Sequence, residues 1–535
     1  MIMRDKEEVG VEVQPILING TWVAAKAVGS FSATNPSTGE RGAVSFPVST
    51  WSDCERALTH SAEAAKQLRN ISPAMIAAFL ERYAERIEEH ASELVDIAHQ
   101  ETGLPVSPRL REVELVRTVT QLRQGASAAR EGTWQRAVID TKAGIRSHFA
   151  PMGPVVVFGP NNFPFAFNAI SGGDFVAAIA AGNPIIAKSH PLHPGTTQLM
   201  AQCALDALEA SGLPPGTVQM LYHVENPTGL RLVADERVGA TSFTGSRSGG
   251  LRLKEAAERA GRPIYLEMSS LNPVVILPGA LAERGQQMAQ ELADSALAAA
   301  GQFCTSPNLV FVIGADAAKN FAADLKHIYA SREPSVLLSS GGLKGLEDSV
   351  HALIAAGATV VTGGEAKSGA GCRFQNTLLQ VSGEDFMAAG SSLQMEAFGN
   401  STMLVTMNDV AQLCSAIESL EGNLTGCIYS SASGGDDELY VPVAEALCFK
   451  VGRLLNDKMP TGVALSPAMN HGGPYPSTGH PGFTAVGIPA SLSRFAALHC
   501  YDNVRAGRLP AALRDEAPNP SMWRCVDGTY KQGAV

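Results

Sequence analysis

The sequence predicts an α/β protein made of two tandem units, each a largely parallel sheet covered by helices. Three observations carry this. From about residue 150, short β-rich runs alternate with alanine-rich, helix-compatible segments such as 196–211. The runs are "PVVVFG" (154–159), "PIIAK" (184–188), "VQMLYH" (218–223) and "ATSFTG" (240–245). Strands separated by helices of that length read as βαβ units, and so as a parallel sheet. A second series follows with "NLVFVIG" (308–314), a helix near 316–330, "ATVVTG" (358–363), "MLVTM" (403–407) and "LTGCIYS" (424–430). Finally, 535 residues at 45% hydrophobic content leave ample chain for a large core and more than one domain.

Upstream, residues 74–100 form the clearest amphipathic helix. Ile76, Leu80, Tyr83, Ile87, Leu94 and Ile97 follow a helical period, while Glu81, Arg82, Glu85 and Arg86 fill the outer face. "ETGLP" (101–105) ends it with a glycine and then a proline. The stretch "NHGGPYPSTGHPGF" from 470 reads as a long functional or interface loop.

Composition excludes several function classes. A net charge of −11 argues against general nucleic-acid binding, which needs a basic stripe. Nine dispersed cysteines without CxxC spacing, and twelve histidines without HxxxH or HExxH, argue against a structural metal site and for free thiols in a reducing compartment. The amino terminus "MIMRDKEEVG" lacks a secretory apolar region, and the apolar run 163–187 carries Asp174 and several glycines, so no membrane span is expected. The default is a cytoplasmic protein.

Several short stretches could carry chemistry. "AAAGQFCTSP" (298–307) holds Cys304 between a helix end and a new strand, either as a small buried hydrophobe or as a nucleophile. "FTGSRSGG" (243–250) is a strand-to-helix turn whose Gly245 and Gly250 permit a phosphate to approach, or simply make the turn tight. Lys188 ends an apolar strand, where ligands of open α/β sheets bind and where surface lysines are also common. Glu267, in "YLEMSSLNP", ends another strand as a structural carboxylate or a general base. Asn162, in "FGPNNFP", is accounted for by turn chemistry when taken alone.

Taken in order, Asn162, Lys188, the "FTGS" turn, Glu267, Cys304 and "EAFGN" (396–400) resemble the motif series of the aldehyde dehydrogenase superfamily, from about residue 15 to 505. "MGPVVVFGPNNFPFAFN", "GGDF", "AKSHPLHPGT", "EMSSLNPVVILPGAL" and "GQFCTSPNLV" look most like the 2,5-dioxovalerate (α-ketoglutaric semialdehyde) dehydrogenase branch, with NADP-linked fatty-aldehyde dehydrogenases nearby.

The resemblance implies a Rossmann-like cofactor domain (12–131 and 151–270), a catalytic domain (271–487) and a β bridging arm (132–150 and 488–504), leaving 505–535 as an uncovered tail. It implies that Cys304 attacks the aldehyde, that Asn162 and the Cys304 N–H hold the oxyanion, and that Glu267 activates water against the thioester. For NADP or NAD it implies contacts from Phe158, Gly159, Lys188, Ser189, Phe243, Gly245, Ser246, Gly250, Glu396 and Phe398. Phe163, Phe167 and Ile170 would line the aldehyde tunnel, and no metal is implied. The arm implies a homodimer or homotetramer.

Two positions depart from the pattern. Pro191 replaces the carboxylate that would bind the adenosine 2′-hydroxyl, which favours use of NADP, with Ser189 and His190 as phosphate donors. Asn161 replaces an aromatic. For a semialdehyde carboxylate, the expected anion site is His471 with the N–H groups of Gly472 and Gly473. Transfer of the acyl group to coenzyme A is the rival reaction, and the presence of Glu267 argues for water instead.

Overall fold

The computed structural model describes residues 13–535; the amino-terminal reading and the first residue of the expected cofactor domain lie outside the described residues. Most of the apolar runs become strands because they are buried on both faces, as parallel strands under helices must be. Ile264–Glu267, Ala240–Thr244, Val155–Phe158, Ile185–Lys188 and Val218–Leu221 lie side by side in parallel, extended by antiparallel Ile16–Ile18 and Thr21–Val23. The parallel strands begin at Val155–Phe158, build outward on one side, then return to Ala240–Thr244 on the other. Such a reversal opens a crevice at the carboxyl ends of the two strands, where ligands bind.

The second sheet also has seven strands, ordered Thr359–Thr362, Thr377–Ser382, Ser401–Met407, Leu309–Ile313, Val274–Ile276, Asn423–Tyr429 and Val451–Asn456. Thr359–Thr362 runs antiparallel at the edge, with a register shift and largely exposed side chains, so "ATVVTG" is not the buried parallel strand its apolar residues imply. "VQMLYH" is likewise divided: Val218–Leu221 stays in the first sheet, while His223–Val224 joins a small sheet with Phe46–Ser49 and Ala27–Phe31.

The amphipathic segment at 74–100 is two helices, Pro73–Glu89 and Ala91–Thr102, broken at His90. The polar stretch between the buried Ile87 and Leu94 gives a continuous helix no apolar anchor there. Gly103 closes the second helix with φ +66, a left-handed cap that glycine adopts without strain. Among the described residues no helix is long and apolar enough to cross a membrane.

A third sheet joins Ala496–Asp502, Ile145–Pro151 and Val138–Asp140 with two strands from the expected tail, Arg524–Val526 and Thr529–Lys531. The tail is therefore structured. Leu509, Leu513, Met522 and Val526 pack on Ala137 and Ile139, and buried Arg524 donates to the carbonyl of Asp515 at 3.0 Å. The signal was "VDGT": Asp527 and Gly528 both have positive φ, as a two-residue hairpin turn requires. Ending the chain at residue 505 is expected to expose the Val138–Asp140 edge and the apolar face beneath it. The truncated protein should melt several degrees lower and aggregate on heating, as read by differential scanning fluorimetry and light scattering. Unchanged melting would show that the added strands contribute no stability.

Candidate active site

Cys304 is positioned by backbone constraint. After the helix Pro278–Leu297 the chain turns through Ala299 (φ +47), Ala300 (φ +56) and Gly301 (φ +68), three successive left-handed residues. Left-handed alanines are strained and persist where the surroundings over-determine them. A Cβ at Gly301 would collide with the Gly399 carbonyl, so this position needs glycine for space as well as for φ. The contact fastens the "GQFC" turn to "EAFGN". Past the turn, Asn272 Nδ2 donates to the Cys304 carbonyl at 2.9 Å.

Two cavities meet at Cys304. The first, about 330 Å³, is lined by Asn162, Gly245, Ser246, Glu267, Glu396 and Phe398, and by Asn161. The second, about 320 Å³, is lined by Phe163, Phe167 and Phe303 with Arg109, Arg117 and Lys458. Cys304 lines both, so a molecule in either reaches the same sulfur. Ile170, expected on the tunnel, is instead fully buried in the core; its carbonyl accepts from Tyr83 at 3.1 Å and it lines neither cavity.

His471 is likewise not at a tunnel mouth. The loop from residue 470 crosses to the edge of the first sheet, where Met268 N–H donates to Ser477 O at 2.8 Å and Gly479 N–H to Leu266 O at 3.1 Å. That crossing buries His471 with its Nε2 3.0 Å from Glu267 Oε1 and 3.4 Å from Cys304 Sγ. Gly472 and Gly473 are packed against the backbone of Phe483 and Asn423, away from any anion site.

One imidazole nitrogen thus faces a thiol and a carboxylate. Burial pushes the thiol well above its usual range, and the adjacent Glu267 adds to the effect. A neutral imidazole with its Nε2 lone pair toward the sulfur can take the thiol proton. The resulting N–H then lies between thiolate and carboxylate and is stabilised by both. Glu267 Oε2 is buried without a partner among the described residues. Asn162 donates one amide hydrogen to Gln302 O at 3.0 Å, leaving the other for an oxyanion, and its own carbonyl accepts from Arg109 at 2.9 Å.

The first cavity is lined at the carboxyl ends of three strands of the first sheet, by Thr244, Glu267 and, just past Phe158, Pro160; of the expected cofactor residues, Phe158, Gly159, Lys188, Ser189, Phe243 and Gly250 do not line it. Ser246 caps the helix Arg247–Arg259, accepting from Gly249 N–H at 3.3 Å. Gly250 lies in the first turn of that helix, where a Cβ would crowd Met268 and Phe243. A Cβ on Gly159 would stand 2.6 Å from Ala169 N, and Phe158 packs on Phe243 with ring centroids 6.3 Å apart.

Lys188 lies 6.0 Å from the Phe158 ring centroid, and desolvation pushes its ammonium down to about 8. His190, His193 and His223 surround it, each held below the usual imidazole range chiefly by burial. His223 was not singled out in the sequence, because it reaches this cluster only through the fold. Ser189 is fully buried and its hydroxyl donates to the His190 carbonyl at 3.3 Å, so it is engaged within the turn. Burial pushes the Glu396 carboxyl up to about 8. This donor set suits a dinucleotide: glycines and a helix start at one point, a cation among imidazoles at another.

A two-unit α/β scaffold with Cys304 where two cavities meet, a carboxylate beside it and a crevice at the carboxyl ends of the first sheet is the architecture of an oxidoreductase. The chain belongs to the aldehyde dehydrogenase family, whose model matches residues 22–454. It is 36% identical over 515 residues to alpha-ketoglutaric semialdehyde dehydrogenase 2 of Azospirillum brasilense, covering 94% of this chain and 97% of that one. It is 34% identical over 531 residues to alpha-ketoglutaric semialdehyde dehydrogenase of Acinetobacter baylyi, covering 96% and 98%. A solved lactaldehyde dehydrogenase shares the fold with a TM-score of 0.80 at 22% identity, covering 91% of this chain and 98% of its own.

If His471 accepts the thiol proton, His471→Ala should slow alkylation of Cys304 by iodoacetamide at pH 7 by about 100-fold, the scale of general-base assistance. The loss should shrink as pH rises toward the thiol's own range. A pH-independent loss would instead point to a packing defect.

Proposed function

We propose that the protein oxidises an aldehyde to its carboxylate with NADP or NAD, the aldehyde being a semialdehyde such as 2,5-dioxovalerate. The single observation that carries the reaction is Cys304 at the meeting point of two cavities, with His471, Glu267 and Asn162 around it. The semialdehyde is supported by the names of the two relatives matched over nearly the whole chain.

In this reading Cys304 Sγ, freed of its proton by His471, bonds to the aldehyde carbon to form a thiohemiacetal. The Asn162 amide and the Cys304 N–H hold the oxyanion. The nicotinamide, when bound, supplies the hydride acceptor; Glu396 and Phe398 would hold its ribose and ring, and Gly245 and Ser246 the pyrophosphate. Once hydride has left, Cys304 carries a thioester. Glu267 takes a proton from water, whose oxygen attacks the acyl carbon, and the carboxylate leaves as the thiol is restored. Retention of Glu267 favours water over coenzyme A as acceptor, and the crossing loop that buries it supports the same choice.

Cys304→Ala is expected to abolish oxidation while cofactor titration remains nearly normal. Glu267→Gln should slow deacylation more than hydride transfer, so a burst of reduced cofactor precedes slow turnover in stopped-flow absorbance. Appreciable turnover in the cysteine variant sinks the mechanism; loss of burst and turnover together reassigns Glu267 to thiol activation.

Pro191 stands in place of the carboxylate that would repel a 2′-phosphate, and Lys188, three residues before it, supplies a positive charge below about pH 8. NADP should be used at least as well as NAD. Because free Lys188 is charged below about pH 8 and neutral above it, KM for NADP should climb above that pH more steeply than KM for NAD. A preference for NAD beyond about tenfold, roughly 1.4 kcal/mol, contradicts this.

A further inference from the structure

The second cavity contains a charge that the aldehyde chemistry does not use. Of its two arginines, Arg109 has its charge paired: it ion-pairs with Glu114, donates to Asn162 O, and lies 4.4 Å from the Phe163 centroid and 5.2 Å from that of Phe303, with only Nε lacking a partner among the described residues. Glu114 is spent as well, since its other oxygen accepts from Phe165 N–H at 2.8 Å and Ala166 N–H at 3.0 Å.

Arg117, one turn further along the same wall, is different. One terminal nitrogen donates to the Val463 carbonyl, while Nε and Nη2 are buried with no partner. Its guanidinium lies 5.6 Å from the Phe167 centroid, and it has no ion pair among the described residues. Burial without a counter-ion holds it down to about 10, while the Cys304 and Glu114 charges pull it back up. A half-buried cation whose Nε and Nη2 are buried without partners among the described residues costs folding free energy unless an anion compensates it. An aldehyde cavity whose wall carries such a charge suits a substrate with a negative end. Lys458, exposed at the same cavity, adds attraction at the rim.

We infer that Arg117 is the specificity-determining residue of this enzyme, receiving the distal carboxylate of a short ω-oxo acid while its aldehyde carbon lies at Cys304. Phe163, Phe167 and Phe303 line the space between and would hold a short carbon chain. Arg117 replaces the His471 and glycine-loop site anticipated from the sequence. This assignment rests on the aldehyde-oxidising role of Cys304 and on the semialdehyde reading.

The test compares 2,5-dioxovalerate with pentanal, of equal carbon count and no charge. Wild type should favour the keto acid. In Arg117→Met the ratio of their kcat/KM values should fall by about 100-fold, the scale for losing a hydrogen bond to a charged group, chiefly through KM for the keto acid. Arg117→Lys should recover part of the ratio, since it restores charge without the planar fork. An unchanged ratio, or equal losses on both substrates, overturns the assignment. A wild type that prefers pentanal overturns the semialdehyde reading itself, which separates the two failures. Should Arg117→Met not fold, the wild type still decides: 2-oxoglutarate should protect Cys304 from iodoacetamide where hexanoate at equal concentration does not. Equal protection by both overturns the proposal.

Discussion

The close approach of Gly301 to the Gly399 carbonyl is the constraint on which the active site depends. It holds three left-handed residues in place just before Cys304, and so places the thiol at the boundary of two cavities instead of inside the second sheet's core. The same contact draws "EAFGN" against the nucleophile turn, which is why Glu396 and Phe398 line the cavity that Cys304 also lines. Neither segment reaches this geometry alone, because left-handed alanines are unfavourable unless packing requires them.

A second constraint comes from the loop at residue 470. By hydrogen-bonding to the backbone around Leu266 and Met268, it closes an open sheet edge and carries a histidine from one unit to the carboxylate of the other. A thiol that burial keeps protonated gains an acceptor, and the imidazolium that forms gains a carboxylate. The electrostatics of the two cavities differ accordingly: imidazoles and one lysine at the cofactor end, an unpaired guanidinium at the substrate end.

Much of this was legible in the sequence for identifiable reasons. The two series of apolar runs gave away the α/β class, because doubly buried strands have few ways to be written. Cys304, Glu267 and Asn162 stood out once their order along the chain was considered together with the glycine turns between them. Other residues carried no local signal. Arg117 lies in an ordinary charged helix, and its importance comes from Glu114 being used by Arg109 instead. His223 ends a strand that changes sheets, and Ile170 looked tunnel-facing until its neighbours buried it. The hairpin at Asp527–Gly528 was written in the sequence, but its partner strand lies almost 390 residues earlier, at Val138–Asp140.

By itself, then, the sequence determined the class of fold and the family, and it singled out Cys304 and Glu267, all of which follow from short-range pattern and motif order. The tertiary structure decided which charges are paired, which histidine meets the thiol, and where the chain's last thirty residues go. Those outcomes depend on distances between segments far apart in the chain, and on burial, which sets the cost of an unpaired charge. The Arg109–Glu114 pair and Arg117 are the clearest case: they lie within nine positions, and their roles diverge because the fold pairs Glu114 with Arg109 and not with Arg117.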